Sequence, residues 1–413
     1  MMTILKPGDL NQLKQALEPF FVRDFFRFAP FSPLLLEFCE KLSKELFNLE
    51  TAVQDGKVMQ YPDLASLAFW LRNKHLQHIQ NTLATSSSNT QLVPRGLVFH
   101  IPPSHIDVML VYSWICSLLM GNGTIIRLSN EQSEESKTLL NIILEVLAEK
   151  KFAPLAEITC FVQYGHEEEF TAWISSYAHV RVIWGGNDTI DKIRKIPLQP
   201  FAKELTFPDR FSYAVVDAKA FMQADKAERK TIVSHFFNDT YWYDQSACSS
   251  PRLICWIGIS SMVEQASQDF YQTLQNVIQE RGYEISLGTQ LYKQAFMYDA
   301  ALSLSARKVT TLSNELSILF VEELSHQLRN HCGQGLLYHA ALSNLDGISA
   351  FVSSHDQTLS YYGFSQEELK KLASKINGKG LSRFVPFGQA LTFETIWDGQ
   401  NLLTEFSQTV TID

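Results

Sequence analysis

A cysteine at the end of a run of small polar residues is the first feature of this chain that could do chemistry. Cys248 stands in Tyr243-Asp-Gln-Ser-Ala-Cys-Ser-Ser-Pro251, just ahead of an apolar segment. A thiol presented on a turn or a helix start lies among backbone N–H groups that favour the thiolate and can hold an oxyanion. The segment also suits a structural cysteine in a loop, since one Cys has no partner spacing to test. Val182-Ile-Trp-Gly-Gly-Asn-Asp-Thr-Ile-Asp191 puts Gly185 and Gly186 between an apolar strand and a helix. There a backbone can approach a phosphate above a helix N-terminus. No third glycine completes the dinucleotide fingerprint, so a plain turn fits equally well. Gly121-Asn-Gly-Thr-Ile-Ile-Arg-Leu-Ser-Asn130 ends a strand in Arg127 and Ser129. These are a cation and a hydroxyl at a sheet's carboxyl edge, or an ordinary exposed strand-end arginine. The cysteines at 39, 116, 160, 248, 255 and 332 form no CxxC pair and show no regular ligand spacing. No metal is expected from them.

These residues need a scaffold, and the hydrophobic pattern supplies one. Residues 1–90 read mainly as helices, with Leu13, Leu17 and Phe20-Phe21, then Leu64, Leu67, Phe69-Trp70-Leu71 and Leu76 at helical spacing. Thr85-Ser-Ser-Ser-Asn-Thr90 is a polar loop. Strands then alternate with helices: strand 96–101, helix 106–120, strand 123–128, helix 133–150, strand 158–162, helix 167–177 and strand 180–184. In the second helix Glu134 and Glu135 in the first turn and lysines at the end match the helix dipole. The alternation implies a parallel, doubly wound sheet, which binds ligands at its carboxyl edge. A second α/β region starts near 240. It has a strand at 252–257, a helix at 261–281, strands at 317–321, 335–338 and 348–352, and a helix opened by the capping box of Ser365 and Glu368.

Composition narrows the function classes. The chain has 413 residues, 46% hydrophobic and 19% charged. That exceeds the roughly 250–300 residues at which single cores stop growing, so two domains are expected. A formal charge of −9 argues against binding a nucleic-acid backbone. The most apolar run, Val108 to Met120, is shorter than the ~20 residues of a membrane span and reads as a buried helix. The N-terminus has no basic and apolar signal-peptide pattern, so the thiols are expected to be reduced in a cytoplasm.

Taken in order, these segments resemble the aldehyde dehydrogenase superfamily, and within it the acyl-CoA reductase branch, the LuxC family. In the superfamily, Gly-Asn-x-Val-x-x-Lys-Pro-Ser-Glu contacts the adenosine ribose, and Gly121 to Asn130 looks like its counterpart. A Gly-rich turn contacts the pyrophosphate, as Trp184-Gly-Gly-Asn187 would. The nucleophile follows a Gln, as Cys248 follows Gln245. The branch is carried by Leu67-Ala-Phe-Trp-Leu-Arg72, Phe99-His-Ile-Pro-Pro-Ser104, Trp184-Gly-Gly186, Asp244-Gln-Ser-Ala-Cys-Ser-Ser-Pro251, Arg383-Phe-Val-Pro-Phe-Gly-Gln-Ala390 and Trp397-Asp-Gly399.

The resemblance implies an aldehyde-dehydrogenase-like α/β fold, a Rossmann-type cofactor domain joined to an α/β catalytic domain. It implies a helical region at 1–90 packed on the cofactor domain, that domain at 91–240, and a catalytic domain at 241–380. The segment 381–413 would return to the cofactor domain or to an oligomer interface. Cys248 would be the nucleophile, with Ser104 or His105 replacing the family's Asn amide at the oxyanion. Gly185, Gly186 and Asn187 would seat the pyrophosphate, and Arg127 and Ser129 the adenosine ribose. The substrate would be a fatty acyl-CoA or acyl-protein thioester, with an acyl-protein synthetase or acyl transferase as a possible partner and a homo-oligomer as the assembly. Oxidising relatives carry Glu-Leu-Gly-Gly, whose Glu activates hydrolytic water. Here the region reads Glu204-Leu-Thr-Phe-Pro-Asp-Arg-Phe-Ser212, with Phe207 near the Glu position and Glu204 close by, which favours reduction. Arg127 in place of Lys and Asn130 in place of Glu favour NADPH over NADH. The alternatives are an NAD(P)-dependent aldehyde oxidiser and a catalytically silent partner in an acyl-transfer complex.

Overall fold

The computed structural model describes residues 4–412 except 52, 55–56, 59–61, 85–88, 104–106, 132 and 305. It divides into two units, Met1–Pro208 with Phe393–Asp413, and Asp209–Thr392.

The first unit is built on five strands, β1 Leu97–Ile101, β2 Gly123–Leu128, β3 Thr159–Gln163, β4 Val180–Trp184 and β5 Lys203–Phe207. All pair in parallel in the order β3-β2-β1-β4-β5. This is the doubly wound order, with its reversal between β1 and β4. The linking helices are α1 Asp107–Leu119, α2 Glu134–Ala148, α3 Glu168–Ser175 and α4 Asn187–Arg194. Helix α1 buries Val111, Tyr112, Trp114, Ile115, Leu118 and Leu119, the all-round burial expected of a helix that is apolar on every side. Among the described residues no helix is long and apolar enough to cross a membrane. Helix α2 starts on Ser133, whose side chain accepts from Ser136 N, with Glu134 and Glu135 in its first turn. It stops at Ala148, and Lys150 and Lys151 fall in a separate 3-10 turn. Leu13, Leu17 and Phe20 form the buried stripe of helix Leu10–Phe21. Leu64, Leu67, Trp70, Leu71 and Leu76 are buried as the spacing predicts, whereas Phe69 is exposed.

The second unit holds β6 Phe211–Asp217, β7 Pro251–Ile257, β8 Lys308–Thr311, β9 Ser317–Phe320, β10 Leu336–Leu342, β11 Asp356–Tyr362 and β12 Arg383–Pro386. Their order is β8-β9-β10-β7-β6-β11-β12, parallel except for the β8–β9 pair. The helices are α5 Lys226–Tyr241, α6 Ser260–Arg281, α7 Leu287–Ser303 and α8 Gln366–Ile376. Strand side chains alternate between two cores. Ala214, Val216, Ile254 and Trp256 pack with Phe236, Phe270 and Leu274, and Tyr213, Val215, Leu253 and Cys255 pack with Met297, Leu369 and Leu372. Both faces of the sheet are covered, as a parallel sheet requires. Helix α8 carries the full Ser365–Glu368 capping box.

Two expectations change here. The second sheet begins at β6 rather than near 240, because β6 is a central strand of this unit. The strand expected at 348–352 is instead the end of the 3-10 turn Leu345–Ala350 and the two residues after it. Ile348, Phe351 and Val352 are buried at helical rather than alternating spacing. The strand lies further on, in Asp356–Tyr362, where polar residues are buried. Arg329 forks onto Asp356 through Nε at 2.8 Å and Nη2 at 2.7 Å.

One ion pair ties the edge strand of the first sheet. Arg181 on β4 faces Glu204 on β5 in register and donates to it through Nε at 2.9 Å and through Nη2. Its other donors reach Ser175 Oγ at 3.1 Å and Ile196 O at 3.0 Å, and Arg181 is only 1% exposed. Removing one partner of such a pair strands the other charge and the lost acceptors. We expect Arg181→Met to lower unfolding free energy by about 3 kcal/mol, measured by urea denaturation. A loss within about 0.5 kcal/mol, ordinary for surface changes, would contradict it.

Candidate active site

Helix α5 ends at Tyr241, and the chain then reverses through Asp244 and Gln245, with φ of 51° and 60°. Two consecutive non-glycine residues in the left-handed region cost of order 1–3 kcal/mol each and persist only where surroundings impose them. Those surroundings lie at the starts of two strands, β7 and β10. The Gln245 side chain is fully buried and donates to Pro251 O at 3.2 Å and Leu336 O at 3.0 Å. Its Oε1 accepts from Gly335 N at 2.7 Å. Gln245 N donates to Thr240 O at 3.0 Å, and Gln334 N to Asp244 O at 2.9 Å. The Tyr283 hydroxyl donates to the Asp244 carboxylate. The turn approaches the loop before β10 so closely that a Cβ at Gly333 would lie 2.6 Å from Asp244 O. One at Gly335 would lie 1.7 Å from Glu315 O.

Cys248 sits in the next turn, half-buried, directly before β7. Its carbonyl accepts from Ser212 Oγ at 2.6 Å, and that oxygen accepts from Thr358 N at 3.1 Å. The other thiols are sorted by burial. Cys39, Cys116, Cys160 and Cys255 are buried, and burial pushes each thiol up, Cys160 to about 12. They are protonated small hydrophobes. Burial also raises Cys332, to about 11, against the pull of Lys293 and Arg252.

The cofactor candidates belong to the first unit and gather at the carboxyl edge of its sheet. Arg127 lies at the end of β2 and Ser129 just beyond it, while Gly185 and Gly186 come directly after β4. Helix α4 begins on Gly186 with no side-chain cap, and Asn187 is its first residue. A Cβ at Gly185 would meet nothing nearer than the Thr189 side chain at 3.6 Å. Arg127 donates through Nη2 to Gly165 O and lies 5.1 Å over the Tyr164 ring, leaving Nε buried with no acceptor among the described residues. Ser104 and His105 lie outside the described residues. Glu204 is held by Arg181 and, at 3.2 Å, by Arg194 Nε. Phe207 stacks on Trp184 with centroids 3.9 Å apart. A 590 Å³ cavity elsewhere in this unit contains none of these residues, and within it Lys41 pairs with Glu149 and Lys151 with Glu37.

Some residues that hold the cysteine turn escaped the sequence reading: Ser212, Arg252, Gly333 and Gly335. Only the pair of glycines around Gln334 left a sequence signal.

A profile of the acyl-CoA reductase (LuxC) family matches residues 71–409. The chain belongs to the LuxC family. No curated protein matches it. Solved structures share its fold. The proline utilization A protein of Bradyrhizobium japonicum is 13% identical with a TM-score of 0.69, covering 98% of this LuxC-family chain and 46% of its own. The chain therefore spans about half the length of that protein. The indole-3-acetaldehyde dehydrogenase of P. syringae, solved with NAD+ and IAA, is 11% identical with a TM-score of 0.66, covering 97% and 88%. An oxidoreductase from Marinobacter aquaeolei is 11% identical with a TM-score of 0.67, covering 97% and 90%. The fold is that of the aldehyde dehydrogenases.

The family segment after β12 is anchored by one carboxylate. Asp239 on α5 accepts from Gly388 N at 2.8 Å and Ala390 N at 2.9 Å. Burial raises its carboxyl to about 7, outweighing those two bonds and the charge of Arg383. A carboxyl raised in the folded state gives stability that is full below its unfolded value, near 3.8, and lost as pH rises through about 7. The difference in urea stability between wild type and Asp239→Asn should therefore fall from pH 4 to pH 8, at up to about 1.4 kcal/mol per pH unit. A flat difference across that range would refute this.

Proposed function

We propose that this chain reduces a fatty acyl thioester, acyl-CoA or acyl-protein, to the aldehyde through an acyl-cysteine at Cys248, with NADPH as reductant. The observation that carries the reading is the presentation of Cys248. Among six thiols, it is a half-exposed one, set in a turn that a buried amide, two glycines and a serine hydroxyl hold in place. Strain of that kind persists where the surroundings impose it, and it collects at functional sites. Family membership supplies the class of chemistry, an oxidoreductase acting at the acyl and aldehyde level.

The Cys248 thiolate attacks the thioester carbonyl, the carbon–sulfur bond to the donor breaks, and the donor thiolate leaves and takes a proton. The acyl group is then held as a thioester on Cys248. Backbone N–H groups of the turn, with Ser104 or His105 from the segment after β1, would hold the oxygen as it gains charge. After reduction the sulfur is expelled and the aldehyde released.

The first unit suits a dinucleotide. Arg127 keeps a buried Nε with no acceptor among the described residues, Gly185 leaves its backbone approachable, and α4 opens uncapped at the sheet's topological switch point. Gly185, Gly186 and Asn187 would hold the pyrophosphate, and Arg127 and Ser129 the adenosine ribose. When bound, the reduced nicotinamide supplies hydride to the acyl carbon. Arg127 at this edge, with no carboxylate at Asn130, suits a 2′-phosphate. Reduction rather than hydrolysis is supported by Phe207, which stacks on Trp184, and by Glu204, which two arginines engage.

Incubation with radiolabelled acyl-CoA should leave label on wild type and none on Cys248→Ala; label on both would sink the assignment. Arg127→Leu should lower kcat/KM for NADPH about ten- to hundredfold, the scale of a hydrogen bond to a charged group, with little change for NADH. Equal losses with both, or a wild type that uses NADH as well as NADPH, would reject the phosphate role.

A further inference from the structure

Arg252 lies four residues beyond Cys248, in β7. Its guanidinium donates to Gln245 O from both Nε, at 3.1 Å, and Nη2, at 3.0 Å, and from Nη1 to Arg210 O at 3.3 Å. All of these acceptors are main-chain carbonyls; no hydrogen bond from this guanidinium reaches a carboxylate among the described residues. A half-buried cation thus clamps the left-handed residue at the base of the cysteine turn, with its charge left for its surroundings.

Those surroundings hold the turn sulfur. The groups that act on Arg252 are the sulfurs of Cys248 and Cys332, the Asp209 carboxylate and His331. Arg210 lies beside Asp209 in sequence and lends Arg252 its carbonyl. Lys293 on α7 donates to Gln334 O at 3.0 Å and interacts with Cys332 and Glu315; burial brings its amine down to about 8. Burial lowers Arg252 from its ordinary range, and the Cys248, Asp209 and Cys332 groups act against that. His331 is kept neutral by burial and by Arg252 itself. Lys293 is spent on carbonyls and on Cys332. Among the described residues Arg252 is a cation that both touches the Cys248 turn and acts on its sulfur.

We propose that Arg252 is a positioning residue for Cys248. Its fork fixes the Gln245 carbonyl and with it the turn, and its charge holds the sulfur as thiolate. A cation beside a thiol favours its ionised form, and a planar fork orients a loop as a point charge does not. The proposal rests on the reading of Cys248 as nucleophile.

The test is the pH dependence of iodoacetamide alkylation of Cys248 in the full-length chain, scored by peptide mass mapping so that Cys332 is counted separately. Arg252→Gln should raise the alkylation midpoint by about one pH unit or more. Arg252→Lys keeps the charge and loses the fork. It should hold the midpoint near wild type while slowing acyl-enzyme formation. A purely structural arginine would lower stability and rate in both variants without moving the midpoint. An unmoved midpoint in Arg252→Gln overturns the proposal, and so does an equal rise in Arg252→Lys. Should Arg252→Gln not fold, the Arg252→Lys midpoint and acylation rate decide alone, and a midpoint raised by one unit overturns it. Acyl label surviving on Cys248→Ala would instead defeat the nucleophile reading, and alkylation midpoints are independent of that result.

Discussion

The second unit depends on one buried amide. Gln245 has no exposed surface, so each of its polar atoms needs a partner within the protein. It finds them on two strands, the carbonyls of Pro251 at the start of β7 and Leu336 at the start of β10, and the N–H of Gly335. An amide that both donates and accepts can make this three-way bridge; a carboxylate could not donate, and an apolar side chain would leave three backbone groups unsatisfied. The bridge fixes the distance between α5 and the sheet, and it compels the left-handed turn at Asp244 and Gln245. That turn in its place sets the position of Cys248.

The closeness that makes the bridge short also dictates composition nearby. Gly333 and Gly335 have φ of 73° and 76°, and each has a carbonyl where a Cβ would stand. Side chains are excluded there on two grounds at once. Ser212 adds a second fixed point by holding the carbonyl of Cys248 from the neighbouring strand β6. The cysteine is therefore held in a turn just ahead of the central strand β7, which is packed on both faces.

The first unit uses a different logic. Four of its five parallel strands bury almost every side chain, and the charged and imidazole groups there are held by partners. Arg181 has Glu204, Ser175 and Ile196 O, and His100 lies between the hydroxyls of Ser113 and Ser117 at 3.0 and 2.9 Å. Burial holds that imidazole neutral, down to about 3. Arg127 differs, since its Nε has no partner among the described residues, at the edge where a doubly wound sheet receives its ligand. An aromatic cluster closes the strand ends, with Trp184 between Phe207 and Trp397, and Trp397 opens a tight hairpin through Asp398 and Gly399 in left-handed conformations.

The sequence by itself determined the strand-and-helix alternation of the first unit, because apolar runs of strand length separated by amphipathic helices admit few topologies. It also determined the buried character of α1, the cap at Ser365, and the family, whose motifs run in order from Leu67 to Gly399. Local periodicity and short-range hydrogen bonds carry that information along the chain itself. The tertiary structure decided what depends on residues distant in sequence. It made 348–352 the end of a 3-10 turn and the two residues after it, and Asp356–Tyr362 a strand, whose buried Asp356 pairs with Arg329, 27 residues earlier. It assigned β6 to the second sheet, where its partners are β7 and β11. It engaged Glu204 with Arg181 and Arg194, a pairing no spacing reveals. It also gathered Gln245, Gly335, Ser212 and Arg252 around one cysteine turn. The physical reason is common to all four: desolvated polar groups must find partners wherever the fold brings them, and only the folded chain says where that is.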